Sequence, residues 1–238
     1  MKLAYLILVV CICAGCEPEK VATGRGQSAS PRDAAEYLRL GKERFEKGEF
    51  DAAIRDFDEV IKLEPTNALA FAGRGTAWFR KKEYEKAIKD LDEAVRLVPE
   101  PVPALHALQG AALYMKKDYA RAVKDLDRAI ELNAKEIEAL NSRAWAAAVC
   151  PDAKYRDDKL ALKYAREACK LDGHKNPFYI GTLAAAHAAN GQFDEAVRWQ
   201  TKALESKEYV ALGGDNGKQM LALFKERKPY REDPPDKP

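Results

Sequence analysis

The sequence has almost no excess of charge of either sign. Of its 238 residues, 40 are Lys or Arg and 38 are Asp or Glu, which leaves a formal net charge of +2 at pH 7. A protein that binds nucleic acid mainly through its phosphates carries a basic patch or stripe. The short basic run at residues 80–82 stands beside acidic residues, which is typical of a solvated helix face. We therefore expect no nucleic-acid partner.

Histidine and cysteine are also scarce, and this argues against a metal site. The chain has three His and five Cys. His106, His174 and His187 stand far apart, without a partner at the spacing of metal ligands. Cys150 and Cys169 are the Cys residues beyond residue 16, and the sequence leaves open whether they form a disulfide or are two buried thiols.

The sequence further lacks the motifs of common phosphate-binding and nucleophilic sites. The segments GRGQS and GGDNG have no strand-to-helix context and no Lys-Ser/Thr ending. No nucleophile elbow is present. Acidic pairs such as Asp56 with Asp58, and Asp125 with Asp127, recur at helical spacing, and we interpret them as solvated positions rather than acid–base dyads. We therefore expect no cofactor and no enzymatic activity.

The apolar run at the N-terminus is too short to cross a membrane as a helix. Residues 3–14 form an uncharged stretch of 12 residues, whereas a spanning helix needs about 20. Its length and the small residues that follow are typical of a secretory signal. The segment Cys13-Ala14-Gly15-Cys16 resembles a bacterial lipobox, with Cys13 in the usual place of Leu. The resemblance implies a signal peptide over residues 1–16 that ends in lipidation of Cys16. Signal cleavage without a lipid and an uncleaved short anchor are the alternatives.

The two ends of the remaining chain are poor in apolar residues. Residues 17–33 are rich in Gly, Ser, Pro and charge, which predicts a flexible linker. Residues 229–238 are Pro-rich and polar, which predicts a disordered tail. The ordered part of the protein should therefore lie between these two segments.

A pattern that recurs every 34 or 35 residues dominates the rest of the chain. The stretches 48–65 (GEFDAAIRDFDEVIKLEP), 82–99 (KEYEKAIKDLDEAVRLVP) and 117–134 (KDYARAVKDLDRAIELNA) are near copies. Each has an aromatic residue, an Ala three positions later and a large apolar residue four positions after the Ala. These spacings place the three residues on one helical face. A second apolar helix with an internal Gly precedes each stretch, so each unit is a helix, a turn and a helix.

This pattern resembles the tetratricopeptide repeat (TPR) family. The resemblance implies an all-α, right-handed superhelical solenoid of five units, at 34–67, 68–102, 103–136, 137–176 and 177–210. A small residue is expected where the two helices of a unit cross closely. One Ala recurs in every unit, at Ala53, Ala87, Ala122, Ala161 and Ala196. Residues 211–228 then carry apolar residues at helical spacing, which suits a capping helix over the last open face.

The fourth unit departs from the pattern because residues 150–159, CPDAKYRDDK, lie between its helices. Pro151 must end or bend the preceding helix. The chain from this insert onward resembles a variant found at the C-terminal end of bacterial TPR lipoproteins. The segment KPYRE near the C-terminus belongs to the same variant.

The first helices of such units line a concave groove that binds partners in this family. Carried over residue by residue, the resemblance implies an apolar and aromatic groove, suited to an apolar segment of a protein or peptide. The Lys/Asn/Arg set with which some members hold a C-terminal carboxylate is missing. Packing between repeats is the alternative role for the aromatic members. The candidate residues are Leu38, Lys42, Phe45, Leu69, Thr76, Phe79, Arg80, Tyr114, Met115 and Trp145.

The function expected from these observations is that of a protein–protein interaction scaffold. We expect it in the bacterial cell envelope, as a lipoprotein on the periplasmic side of a membrane or as a secreted protein. One alternative is an assembly factor for outer-membrane proteins or pili. Another is a cell-wall or carbohydrate-binding protein, or an accessory protein of an enzyme.

Replacing Cys16 with Ser tests the membrane anchor. Because the Ser hydroxyl is not a substrate for lipid attachment at a lipobox, Cys16→Ser should release the protein from the membrane fraction or leave its signal uncleaved. Two acyl chains give the stable anchoring that one does not. Fractionation of cells and immunoblotting measure both outcomes. A variant that fractionates and is processed like the parent chain would exclude lipidation at Cys16.

Overall fold

The computed structural model describes residues 33–233. The predicted signal, Cys16 and residues 17–32 of the predicted linker lie outside this range, as do residues 234–238. Within it there are eleven α-helices, one short 3₁₀ helix and no β-strand, so the all-α expectation is confirmed. The α-helices are α1 (Ala34–Glu46), α2 (Phe50–Leu63), α3 (Ala68–Arg80), α4 (Tyr84–Leu97), α5 (Pro103–Met115), α6 (Tyr119–Leu132), α7 (Ile137–Val149), α8 (Asp158–Asp172), α9 (Pro177–Ala189), α10 (Phe193–Leu204) and α11 (Lys207–Lys225).

The helices pair along the chain, α1 with α2 through α9 with α10, and each pair packs against the next. Side-chain caps define where several of them begin. Asp33 accepts a hydrogen bond from the backbone N–H of Glu36 at 2.8 Å, and Asn67 accepts one from that of Ala70 at 3.0 Å. Such a cap satisfies one of the N–H groups that the first turn leaves unpaired. The pairs begin at Ala34, Ala68, Pro103, Ile137 and Pro177, which are the first residues of the units proposed from the sequence.

The turn inside a pair has the same backbone shape in four of the units. The residue that follows the C-cap of the first helix is left-handed, as Gly48 (φ 80), Lys82 (φ 64), Lys117 (φ 70) or Gly191 (φ 72). Glycine adopts this conformation freely, whereas the same conformation costs Lys about 1–2 kcal/mol. The hydrogen bonds of the turn and the packing of both helices hold the two Lys residues in this strained conformation.

Glycines let the two helices of a pair approach closely. The Phe57 ring on α2 lies between Gly41 of its own unit and Gly73 of the next. A methyl group on Gly41 would come within 2.7 Å of this ring, and one on Gly73 within 2.6 Å. In the third unit, a methyl group on Gly110 would lie 2.7 Å from Leu126 and 3.0 Å from the Ala122 carbonyl oxygen. No larger residue fits at these crossings without moving a helix.

The recurring Asp residues of the second helices are not all solvated, which corrects the sequence-based interpretation. Asp56 and Asp90 are buried. Asp90 accepts two hydrogen bonds from Arg74, at 2.8 and 2.7 Å, and the same guanidinium reaches Asp58 of the preceding unit at 2.5 Å. Two-pronged Arg–carboxylate contacts of this kind are the stronger form of ion pair. Arg74 therefore ties its own second helix to that of the unit before it.

The inner helices of the C-terminal half approach each other more closely than those of the N-terminal half. Helix α7 contacts α5 and α9 extensively, whereas α3 has few contacts with α1 and α5. Runs of buried alanine explain this difference, AWAAAV in α7 and TLAAAHAA in α9. Methyl side chains keep neighbouring helix axes close. The groove between first helices is therefore narrower in units three to five.

The last helix differs from the predicted capping helix in its boundary. It begins at Lys207 rather than at residue 211, and Gly213 inside it has non-helical angles (φ −150, ψ 16). Gly213 therefore kinks the helix and divides it into two parts. Met220 and Phe224, on its second part, are buried against the C-terminal core. This part covers α10 as a cap would.

Replacing Ala87 with Leu tests the close crossing of α3 and α4. Ala87 is fully buried, and its carbonyl oxygen lies 3.3 Å from where a methyl group on Gly75 would stand. Leu has no room there, so we expect a loss of about 1–3 kcal/mol in unfolding free energy. Contacts in a solenoid are between neighbours. Hydrogen exchange should therefore rise in units one to three more than in unit five. Equal exchange in all units would contradict this register.

Candidate partner-binding surface

The side chains proposed for the groove divide into buried and partly exposed groups. Phe45, Phe79 and Tyr114 expose only 3%, 4% and 7% of their surface. Thr76 is also buried, and its hydroxyl donates a 2.6 Å hydrogen bond to the carbonyl oxygen of Ala72 in the same helix. These four residues therefore lie in the core. This corrects the expectation of one continuous open stripe along the first helices.

The buried aromatics close the turn of each unit. Each packs its ring against the aromatic residue that begins the second helix of its own unit. Tilted and edge-on ring pairs at such distances add about 0.5–1.5 kcal/mol to the burial of their area. The sequence left open packing between repeats, whereas these ring pairs pack within one unit. The pairs are Phe45 with Phe50 at 5.5 Å, Phe79 with Tyr84 at 5.7 Å and Tyr114 with Tyr119 at 5.2 Å between ring centroids.

The remaining candidates of units one and two keep part of their surface in solvent. Leu38, Lys42 and Leu69 are partly exposed on α1 and α3. Arg80 is partly exposed too, with its guanidinium 5.0 Å from the centroid of the Phe50 ring of the preceding unit. A cation–π contact at a partly exposed site contributes about 0.5–1 kcal/mol. This part of the surface is apolar and carries two positive charges.

In units three and four the surface is covered by the C-terminal segment of the chain. Tyr114 donates a hydrogen bond from its hydroxyl to Glu232 Oε2 at 2.9 Å. Trp145 donates one from Nε1 to Glu232 Oε1 at 3.0 Å. The backbone N–H of Glu232 donates to the carbonyl oxygen of Val149, the last residue of α7, at 3.0 Å. Met115, beside Tyr114, stays exposed, at 46%.

Two neighbours of Glu232 complete this contact. The Tyr230 ring lies 6.2 Å from the Trp145 ring, centroid to centroid. Arg231 donates to the carbonyl oxygen of Ala148, and its guanidinium is 3.6 Å from Asp158. Residues 230–232 of the predicted disordered tail therefore have defined partners. The prediction was wrong for this part because it weighed the Pro-rich composition above the one aromatic residue that can pack.

The insert of unit four frames the same place. Arg156 donates to the carbonyl oxygens of Cys150 at 2.8 Å and Pro151 at 3.1 Å. Tyr155, in the 3₁₀ helix, lies 6.2 Å from the ring of Tyr119. The insert thus folds against unit three next to the covered surface. The sequence linked the insert with the KPYRE segment but did not predict where either of them packs.

Burial changes the acidity of this site. It raises the pKa of Glu232, and the hydrogen bonds from Tyr114 and Trp145 oppose that rise. It also raises the pKa of Tyr114, which the negative charge of Glu232 raises further. Elsewhere on the inner helices, burial raises the pKa of Glu138 to about 7, and a hydrogen bond from Tyr179 lowers it in part.

The described residues offer no other obvious chemistry. Between residues 33 and 233 no group of His, Cys, Asp and Glu could hold a metal ion. In the same range no helix has the length and apolar character needed to span a membrane. Cys150 and Cys169 are free thiols, buried in different parts of the core, and burial raises the pKa of both.

The fold is an α-solenoid of helix pairs. Residues 38–100 and 179–208 match models of the tetratricopeptide repeat family, which supports the family resemblance. No curated protein sequence matches the chain.

Several solved structures share the fold. MamA is 24% identical over 75% of this chain and 93% of its own, with a TM-score of 0.56. YrrB, described as a TPR protein with an unusual peptide-binding site, is 21% identical over 82% of this chain and 92% of its own, with a TM-score of 0.56. A thermophilic TPR protein from Thermus thermophilus is 20% identical over 82% of this chain and all of its own, with a TM-score of 0.61. The expected TPR solenoid is thus confirmed.

The burial of Phe79 leads to a stability prediction. Phe79→Ala removes a buried ring and its contact with Tyr84, so we expect a loss of about 3–5 kcal/mol in unfolding free energy. Met115→Ala, at the next position of the following unit, is the control. Because Met115 is exposed, its removal should cost less than about 1 kcal/mol. Urea unfolding followed by circular dichroism measures both. Similar losses in the two variants would contradict the division into buried and exposed residues.

Proposed function

We propose that this protein is an interaction scaffold that binds an extended segment of a partner protein along its first helices. The observation that carries the proposal is that these helices already hold a segment of this chain without helical structure, residues 230–232, at α5 and α7. That segment contacts two side-chain donors, an aromatic ring and carbonyls at the end of α7 that have no partner inside the helix. A surface with these groups has what is needed to bind a segment of another chain.

The open part of the surface, on α1 and α3, is the place we propose for the partner. Leu38 and Leu69 supply partly exposed apolar area, and Lys42 and Arg80 supply positive charge beside it. An apolar segment with acidic residues next to it fits this composition. The peptide-binding site named for YrrB supports the same use of the fold, although at 21% identity it supports nothing finer.

We further propose that the scaffold is tethered to a membrane of the bacterial cell envelope. The support is the lipobox-like segment that ends at Cys16 and the polar linker that follows. The linker separates the lipid from α1 by residues 17–33, which would let the repeats face the aqueous side of the membrane. The TPR scaffold fold is typically non-enzymatic, and the proposed activity is binding alone.

Leu69→Ala tests the open surface. The partner is first identified by crosslinking and mass spectrometry on the anchored chain in intact cells. Loss of a central apolar contact should then weaken its affinity by about 1 kcal/mol or more, which is roughly fivefold. Binding of the purified full chain to this partner is measured by calorimetry.

Leu63→Ala is the matched control, because Leu63 is 54% exposed at the end of a second helix, α2, away from the inner surface. It removes the same side chain and should leave the affinity unchanged. The proposal for the open surface fails if both variants bind the partner as tightly as the parent chain does.

A further inference from the structure

The C-terminal segment is bound in a site that is selective by its chemistry. Tyr114 and Trp145 belong to different units, and their donors converge on the two oxygens of one carboxylate. The indole N–H can only donate. An amide in place of Glu232 offers one oxygen for two donors, so this pair favours a carboxylate over Asn or Gln.

The end of α7 supplies the second half of the site. The last carbonyls of a helix have no partner inside that helix. Here Val149 accepts from the backbone N–H of Glu232, and Ala148 accepts from Arg231. A backbone N–H is present in any extended segment except at proline. The Val149 contact is therefore open to many sequences, whereas the contact of Ala148 with the Arg231 side chain favours a basic residue beside the acidic one.

Trp145 also sets a preference two residues earlier in the bound segment. Its ring packs against Tyr230 while its N–H reaches Glu232. One indole therefore contacts both residues of the segment. The site fits an aromatic residue, then a basic residue that reaches Ala148 and Asp158, and then an acidic residue.

The way this segment is held allows it to leave. Its carboxylate is held by two neutral donors and not by an ion pair, and burial raises its pKa, so the ionised group is less well solvated here than in water. Residues 226–229, which connect it to α11, are exposed. Withdrawal of the segment would leave the donors of Tyr114 and Trp145 and two helix carbonyls open to a new ligand.

We propose that Tyr114, Trp145 and the end of α7 form a carboxylate-selective binding site for an aromatic–basic–acidic segment of a partner protein, and that residues 230–232 occupy this site as a displaceable internal ligand. This inference rests on the proposed scaffold function, because it concerns the part of the same surface that lies in units three and four. Because the connection to α11 is short, the internal ligand has an effective concentration of the order of millimolar. An external segment must therefore compete with the internal ligand. Its affinity for the covered site is lower than its affinity for the same site without the internal ligand.

The test uses the full chain and a dye-labelled peptide with the sequence of residues 227–233, RKPYRED, blocked at both ends. Glu232→Ala weakens the internal ligand and should raise the affinity for the peptide about tenfold over the parent chain. Asp233→Ala is the matched control, because Asp233 is an exposed acidic neighbour, and it should bind like the parent. Fluorescence polarisation measures the affinity, and circular dichroism measures the fold.

Further variants show where the peptide binds. Adding Tyr114→Phe and Trp145→Phe to the Glu232→Ala chain should remove the tenfold gain, because both donors to the carboxylate are lost. The peptide RKPYRQD should bind the Glu232→Ala chain at least tenfold more weakly than RKPYRED does.

If residues 230–232 only stabilise the fold and are never displaced, the results differ. In that case the folded Glu232→Ala chain binds the peptide no better than the parent, which overturns the proposal. If Glu232→Ala unfolds the chain, an excess of RKPYRED should restore the helical signal, and failure to do so also overturns it. These readouts need no natural partner. Their failure is therefore distinct from failure of the Leu69 experiment, which concerns the open surface on α1 and α3.

Discussion

The structure depends on helix crossings that leave no room for a side-chain methyl group. The Phe57 ring fills the space between Gly41 and Gly73, so one side chain joins the two helices of its unit and the first helix of the next. Leu126 packs on Gly110 in the same way. Since each crossing fixes the angle to the next unit, the curvature of the solenoid follows from a few glycine and alanine positions. Charged contacts then refine the stacking, as Arg74 does between Asp58 and Asp90.

The two halves of the molecule solve the same packing problem with different residues. Units one to three close their turns with pairs of aromatic rings, such as Phe79 with Tyr84. Units four and five have Ala148 and Ala188 where those rings would stand. The smaller side chains bring the inner helices together but leave less apolar area at the turn. The insert and the C-terminal segment add two further rings to this part of the molecule, Tyr155 against Tyr119 and Tyr230 against Trp145.

The sequence predicted the features that are set locally and missed those that depend on distant contacts. The helix pairs follow from apolar spacing, and the close crossings follow from the positions of Gly110 and Ala87. The exposure of Phe79 could not be predicted, because one helix face serves both the core and the groove. The burial of Asp90 depends on Arg74, on another helix, and no spacing rule links the two residues. Glu232 contacts Tyr114 from 118 residues away in the chain, and only the aromatic Tyr230 within a polar tail hinted at that contact.

In the proposed scaffold, the N-terminal and C-terminal halves of the inner surface have different functions. On α1 and α3, partly exposed leucines and the charges of Lys42 and Arg80 face solvent, so a partner meets an open surface. On α5 and α7, polar donors are already satisfied by the chain itself. An unpaired buried donor is costly, whereas a donor that changes from one carboxylate to another loses little. Replacing one bound carboxylate at Trp145 with another therefore costs less free energy than leaving the site empty. A protein built in this way can keep a polar binding site closed and dry until a segment of the right chemistry replaces its own.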